Sequence, residues 1–196
     1  KKVKGKKVLS CDHYPLKKDL RTGKDYLTKN WLFDYFTLAH LVKEVEDCEL
    51  YLYIQSYGVR NDPCKIPDCV GDIAIQVYTC LALGAKTLDF YNYTGCGAEI
   101  GIEKYSLAEL PKVKQVDAKY NALVGHFTDQ NDNNGYMVVN FTIPSEERIN
   151  VVDLTFEGDY AKALIYNEGQ EQEIDLIDGM VRVTLNPGQG AFVIPY

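Results

Sequence analysis

Hydrophobic and polar residues follow two different patterns along the chain. Over the first hundred residues, short apolar runs typical of buried strands alternate with longer segments whose apolar residues recur at helical spacing. This order predicts a β-α-β-α-β segment with a parallel sheet, because parallel strands need a crossover and such crossovers are right-handed. The predicted strands are KKVLSC (6–11), LYLYIQ (50–55) and TLDFYNYTG (87–95), and the predicted helices are residues 31–47 and 70–86, the second closed by Gly84.

A further helix is predicted over residues 106–127, with Pro111 in its first turn. After the polar, turn-rich TDQNDNNG (128–135), the pattern changes to short alternating strands separated by Gly, Asn and Pro. This second pattern predicts a small antiparallel β-sandwich. The predicted fold class is therefore α/β followed by all-β, with an α/β part at 1–128 and a β-sandwich domain at 129–196.

Composition indicates a folded protein and narrows the function classes. Hydrophobic residues make up 46% and aromatic residues 12% of the chain, which is enough for a packed core. No run approaches the roughly 20 apolar residues of a membrane span. The basic N-terminal KKVKGKKV lacks interleaved aromatic residues, and the net charge is −7, so we expect neither nucleic-acid nor membrane partners. Six scattered cysteines, without a CxxC or a histidine pair, favour free thiols in the cytoplasm, with no metal or cofactor.

Candidate chemistry lies where the three predicted strands end. In parallel β/α architectures, ligands bind at the carboxyl ends of the strands because the loops converge there. The strands end in DHYP (12–15), QSYG (55–58) and YNYTG (91–95). Tyrosine rings have flat apolar faces and hydroxyl tips, which suit sugar rings. This interpretation gives a carbohydrate site lined by Tyr14, Tyr57, Tyr91 and Tyr93; the alternative is that these tyrosines only favour strands.

The order of these segments resembles the last three β/α units of a retaining glycoside hydrolase barrel, in the manner of the family 42 β-galactosidases. The resemblance is carried by KKVLSCDHYPL (6–16), ELYLYIQSYG (49–58) and DIAIQVYTCLALGAKTLDFYNYTG (72–95). The closing LNPGQGAFVIPY (185–196) is similar to the small sandwich that often follows such barrels. The resemblance implies that an intact (β/α)₈ TIM barrel hydrolyses β-linked sugars, using one carboxylate as acid/base and a second as nucleophile.

The resemblance also implies roles for individual residues. It places Gln55 where the family has its nucleophilic glutamate, although an amide is a poor nucleophile. Glu99, just past the third strand, is a second candidate for catalysis. We expect Asp12 to orient His13 or a loop amide, and we expect His40 and His126 to lie in helices with structural roles. The expected substrate-binding residues are Asp12, His13, Tyr14, Tyr57, Arg60, Tyr91 and Tyr93.

Three strands of an eight-stranded barrel precede the predicted sandwich, and the sequence starts at Lys1. We therefore expect the C-terminal fragment of a longer glycosidase, inactive by itself. Its open sheet is expected to self-associate or to bind the missing N-terminal part of the barrel. One alternative is a non-catalytic carbohydrate-binding or scaffold relative, which Gln55 favours. Another is a self-contained small α/β domain of unknown function.

Overall fold

The predicted parallel segment is present, with one helical crossover between its first and second strands and another between its second and third. The computed structural model describes residues 5–58, 63–91, 106–107 and 113–196. The elements of this part are β1 (Lys7–Cys11), β2 (Leu16–Lys18), β3 (Asp25–Leu27), α1 (Trp31–Lys43), β4 (Cys48–Gln55), α2 (Val70–Ala82) and β5 (Thr87–Tyr91). The sheet has the parallel order β1-β4-β5, while β2 and β3 form a separate short hairpin that the sequence pattern did not predict.

Both helices cover the same face of the parallel sheet. Helix α1 buries residues one turn apart, as an amphipathic helix does, and alternate residues of β4 point into the same core. At 13 residues each, neither α1 nor α2 is long enough to cross a membrane, and the described ranges contain no other helix that could do so. The residues of this layer are Trp31, Tyr35, Ala39, Leu50, Leu52, Ile54, Cys80 and Leu88.

Gly84 closes α2, as the sequence predicts. Its φ of 82° lies in the left-handed region, and its N–H donates to the carbonyl of Leu81 at 2.9 Å. The next N–H, of Ala85, reaches back to Cys80 at 3.0 Å. These two hydrogen bonds form a Schellman motif, which satisfies carbonyls that the end of the helix leaves open.

Antiparallel sheets make up the rest of the described chain. Their strands are β6 (Ser106–Leu107), β7 (Val113–Ala118), β8 (Ala122–Thr128), β9 (Asn134–Asn140), β10 (Asn150–Phe156), β11 (Lys162–Asn167), β12 (Gln170–Asp175), β13 (Met180–Leu185) and β14 (Gly190–Pro195). The order is β13-β10-β7 in one sheet and β12-β11-β14-β9-β8-β6 in the other. Strands β9 to β14 confirm the short alternating strands predicted after residue 128, and a short 3-10 helix, Pro144–Glu146, precedes β10.

The helix predicted over 106–127 is wrong, because β6, β7 and β8 occupy the described part of that range. Its valines favour strands, and pairing of β7 with β10 and of β8 with β9 outweighs the local helical spacing. His126 therefore lies in a strand, whereas His40 lies in α1 as expected. The antiparallel sheets thus begin before residue 128, and the division into two domains at that point stays a prediction.

The six-stranded sheet is buried on both faces at its central strand β9, which explains the unbroken apolar run of that strand. Tyr136 and Val138 point into the core between the two antiparallel sheets. Met137 and Val139 point the other way, into the core that contains α2. Helix α2 is therefore enclosed between the parallel sheet and the six-stranded sheet. A strand covered on both faces needs apolar residues at every position.

The second face of the parallel sheet, opposite the helices, carries polar side chains and tyrosines. Across this face, Tyr51 of β4 pairs with Ser10 of β1 and Thr87 of β5, and Tyr53 pairs with Asp89. All but Ser10 are half-buried, and Ser10 is exposed. A parallel sheet is normally covered on both faces, and within the described ranges no further layer lies on this one.

Gly125 tests the packing of α2 on the six-stranded sheet. A Cβ at this position would lie 2.1 Å from the carbonyl oxygen of Ala82, so Gly125→Ala forces α2 away from β8. We expect this variant to lose about 3 kcal/mol in its free energy of unfolding, measured with urea. The control is Gly23→Ala, whose Cβ meets nothing within 4 Å and whose φ of +70° alone costs about 1 kcal/mol. Equal losses in the two variants would contradict this packing.

Candidate functional site

The carboxyl ends of β1 and β4 bring two of the predicted tyrosines together. Tyr14 follows β1 and Tyr57 follows β4, and these two strands are neighbours in the sheet. Their ring centroids lie 5.3 Å apart with an angle of 87° between the planes, an edge-to-face pair. Both side chains are half-buried. The edge of the sheet thus carries an aromatic corner with two hydroxyl groups.

Gln55 lies at the same edge, and its carboxamide is buried completely. Its Oε1 accepts the N–H of Leu16 at 2.8 Å. Its Nε2 donates to the carbonyls of Lys65 at 2.8 Å and of Leu16 at 3.2 Å. A carboxylate cannot make the last two bonds, because it has no hydrogen to donate. The amide therefore suits this position by holding two loops, and its place at the nucleophile position of a hydrolase stays a prediction.

His13 is held by residues that the sequence analysis did not single out. Its Nδ1 lies 3.0 Å from Oδ2 of Asp34, and its Nε2 lies 2.8 Å from Oγ1 of Thr28. The expected orienting residue, Asp12, is exposed, so the carboxylate on His13 is Asp34 rather than Asp12. Chain topology could have identified Asp34 as the partner of His13. Asp34 lies in the first turn of α1, and this helix must start near the carboxyl end of β1.

Tyr35 fixes the backbone beneath this edge. Its hydroxyl lies 3.2 Å from the carbonyl oxygen of Tyr53 and 3.4 Å from that of His13. Burial raises the pKa of the Tyr35 phenol, so the hydroxyl keeps its proton and donates to these carbonyls. The chain at the ends of β1 and β4 is therefore tied to one buried side chain of α1.

Lys65 forms a buried charge cluster behind Gln55. Its side chain is 5% exposed, and its Nζ lies 2.6 Å from Asp72, 2.8 Å from Asp25 and 3.2 Å from Asp68. Burial lowers the pKa of the amine, but the hydrogen bonds to Asp25 and Asp72 outweigh burial and hold the pKa above its usual value. The ligand atoms of Asp68, Cys69 and Asp72 lie within 4.8 Å of one another. Lys65 already supplies the cation that Asp72 binds.

Several predicted residues lie outside the described part of the chain. These are the candidate carboxylate Glu99 and the predicted sugar contacts Arg60 and Tyr93. For Tyr91, the backbone pairs with Gln55 at the end of β5, and its side chain lies outside the description. The structure therefore brings together Tyr14, Tyr57 and Gln55, with His13 beside them.

Comparison with known proteins gives only weak structural likeness. No family model matches the chain, and no curated protein does. The chain is similar in structure to a GH30 endoxylanase from Clostridium papyrosolvens C71, with 10% identity and a TM-score of 0.44. The likeness covers 96% of this chain and 65% of the endoxylanase chain. Likeness at this level assigns no activity, and the resemblance to family 42 stays a prediction.

Gln55→Glu tests whether the amide holds the loops. The introduced carboxylate would face the carbonyls of Leu16 and Lys65, so we expect a loss of about 2 kcal/mol in the free energy of unfolding at neutral pH. Protonation restores one donor, and the loss should therefore shrink in acid. The control is Gln172→Glu on the exposed strand β12, which should change stability little. An equally stable Gln55→Glu variant would show that the amide donor is not needed.

Lys65→Met tests the buried charge cluster. Removing the ammonium group leaves Asp25 and Asp72 without their shared cation, and we expect a loss of about 3 kcal/mol or more in the free energy of unfolding. Lys162→Met is the control, since it removes an exposed pair with Glu173, and an exposed ion pair contributes little to stability.

The pH dependence of this loss follows from the raised pKa of Lys65. The stabilisation is fully present below the unfolded-state value of 10.5 and disappears only as the pH rises through the higher folded-state value. The difference between wild type and Lys65→Met should therefore stay constant between about pH 6 and about pH 9. A steep change within that range would mean that the amine loses its proton there.

Proposed function

We propose that this chain binds carbohydrate at the carboxyl edge of its parallel sheet, as part of a glycoside hydrolase-like β/α barrel. The observation that carries the proposal is the edge-to-face pair of Tyr14 and Tyr57, contributed by adjacent strands. Such a corner lets the C–H face of a sugar lie on one ring, while the sugar hydroxyls find polar partners around it. The same edge is where parallel β/α proteins place their ligands.

The proposal includes a β/α barrel, and the arrangement of the parallel sheet supports this part of it. Both helices lie on one face of β1-β4-β5, as they do on the outside of a β/α barrel. The opposite face carries Tyr51, Tyr53 and Asp89, side chains that tolerate a polar interior. Strands preceding β1 would pair the edge of β1 that has no partner strand within the described ranges, and they would cover this face. The proposed partner is therefore an N-terminal part of the same barrel or, failing that, a second copy of this chain.

We propose hydrolysis of β-linked sugars only for a protein in which this chain is joined by the two catalytic carboxylates that the reaction needs. Gln55 makes its hydrogen bonds to loop carbonyls and a loop N–H, and an amide does not attack an anomeric carbon. Glu99 is still proposed as one of the two catalytic carboxylates. The second candidate function is a non-catalytic carbohydrate-binding relative. The structural role of Gln55 favours it, because this role explains the amide without any catalytic step.

Sugar binding is tested by calorimetric titration with a panel of β-linked galacto-, gluco- and xylo-oligosaccharides. We expect at least one class to bind, and Tyr57→Ala to weaken that binding about tenfold or more, which corresponds to 1.4 kcal/mol. The control is Tyr166→Ala, a tyrosine on β11 that lies in the antiparallel part. Equal affinity of the two variants, or no binding by wild type, would overturn the proposal.

Turnover of aryl β-glycosides separates the two candidates. Binding without turnover supports the carbohydrate-binding function for this chain. Turnover that disappears in Glu99→Gln and persists in Gln55→Asn would support hydrolysis with Glu99 as the catalytic carboxylate.

A further inference from the structure

Three side chains from separate segments meet beside the carboxyl end of β1. His13 follows β1, Thr28 follows β3, and Asp34 belongs to the first turn of α1. The ring of His13 lies between the other two, with Oδ2 of Asp34 at 3.0 Å from Nδ1 and Oγ1 of Thr28 at 2.8 Å from Nε2. A hydroxyl, an imidazole and a carboxylate are thus joined in one chain of hydrogen bonds.

The direction of these hydrogen bonds follows from the groups themselves. An ionised carboxylate only accepts, so the neutral imidazole must carry its hydrogen on Nδ1, facing Asp34. Its Nε2 then has a lone pair and accepts a hydrogen bond from the hydroxyl of Thr28. The hydroxyl proton therefore points at a base, while Asp34 holds that base in the tautomer which can take it. This is the arrangement by which an adjacent base activates a weak alcohol nucleophile.

We propose that Thr28, His13 and Asp34 form an acyl-transfer centre that hydrolyses esters of small carboxylic acids. Thr28 is the nucleophile, His13 the general base and acid, and Asp34 the positioning residue. This activity is independent of the proposed sugar site, which is carried by the rings of Tyr14 and Tyr57.

The reaction runs in two balanced steps. Oγ1 of Thr28 forms a bond to the ester carbonyl carbon, and its proton moves to Nε2 of His13. The carbon–oxygen bond to the alcohol then breaks, and the alcohol leaves with that proton. In the second step, water gives a proton to His13 and attacks the acyl-threonine. The acid departs, and Oγ1 of Thr28 regains its proton.

The surroundings of the cluster hold it in place and leave it open to solvent. The N–H of Thr28 donates to Pro15 at 2.9 Å, and the carbonyl of Thr28 accepts from Trp31 at 3.3 Å. The side chains of His13 and Asp34 are 21% and 43% exposed. Nucleophile and base are therefore fixed while a small ester can approach them.

The first turn of α1 follows Thr28 closely in the chain. The helix begins at Trp31, three residues after Thr28, and its N-cap residue Asn30 makes no side-chain capping bond. The N–H of Trp31 already donates to the carbonyl of Thr28, so the oxyanion of the proposed reaction would take its donors from Leu32 and Phe33, at the positive end of the helix. Backbone donors of this kind stabilise an oxyanion.

The test is acetyl transfer from p-nitrophenyl acetate to the intact chain. We expect a burst of nitrophenol and an acetyl group on Thr28, located by peptide mass spectrometry. Thr28→Val keeps the shape of the side chain but removes the hydroxyl, so turnover should fall about 100-fold or more. Thr28→Ser should keep activity. Asp34→Asn should lower the rate strongly without removing the nucleophile, since an amide no longer fixes the tautomer of His13.

Matched controls separate this centre from reactions at the surface. Thr37→Val removes another threonine hydroxyl, on the exposed side of α1, where it donates to Phe33, and His40→Ala removes an exposed histidine of the same helix. Both should keep the wild-type rate. Acetylation elsewhere with none on Thr28, or a folded Thr28→Val variant with the wild-type rate, would falsify the proposal. Thermal unfolding of each variant verifies the fold, and Thr28→Ser gives the decisive comparison if Thr28→Val unfolds.

Discussion

The side-chain amides of Gln55 and Gln76 join the elements that meet at the carboxyl edge of the parallel sheet. Oε1 of Gln76 accepts the N–H of Gln55 at 2.7 Å, and its Nε2 donates to the carbonyl of Gln55 at 3.1 Å. The side chain of Gln55 makes the same double contact with the backbone of Leu16. Helix α2, the end of β4 and the segment after β1 are thereby fixed to one another. An ionised carboxylate or a hydrocarbon at either position could not both donate and accept, so the geometry at neutral pH depends on amides.

The buried charge cluster around Lys65 adds a second set of contacts between these elements. The carbonyl of Lys65 accepts from Gln55, while its ammonium group binds Asp72 of α2 and Asp25 of β3. One residue thus connects a strand, a helix and a hairpin. A buried ion pair contributes to stability only when its partners are complete, and Lys65 has three carboxylates close to it. Tyr57 lies between Gln55 and Lys65 along the chain, and its ring is held against that of Tyr14. For the proposed sugar site, a ring positioned in advance would lower the entropy lost on binding.

The spacing of apolar residues was enough to predict the elements in which buried residues recur at regular intervals. The strands of the parallel sheet, both crossover helices and the turn at Gly84 follow from apolar spacing and one glycine. The prediction of a helix over 106–127 is wrong because the contacts that decide this region lie far away in sequence. Gly125 is needed where β8 meets Ala82 of α2, and nothing near Gly125 in sequence shows that contact. The partners of His13 were missed for the same reason. Thr28 and Asp34 are 15 and 21 residues away, and only the return of the chain to the start of α1 brings them close.

The segment after β1 divides its side chains between two environments. His13 faces the start of α1, where a carboxylate and a hydroxyl polarise its ring, whereas Tyr14 faces β4 and packs against Tyr57. One short turn therefore serves a charged network and an aromatic corner without mixing them. The hydroxyl of Tyr35 lies 3.4 Å from the carbonyl oxygen of His13 and so contacts the backbone from which these two side chains diverge. Two clusters of side chains can share one edge of a small sheet because buried side chains, those of Tyr35 and Gln55, hold the backbone there.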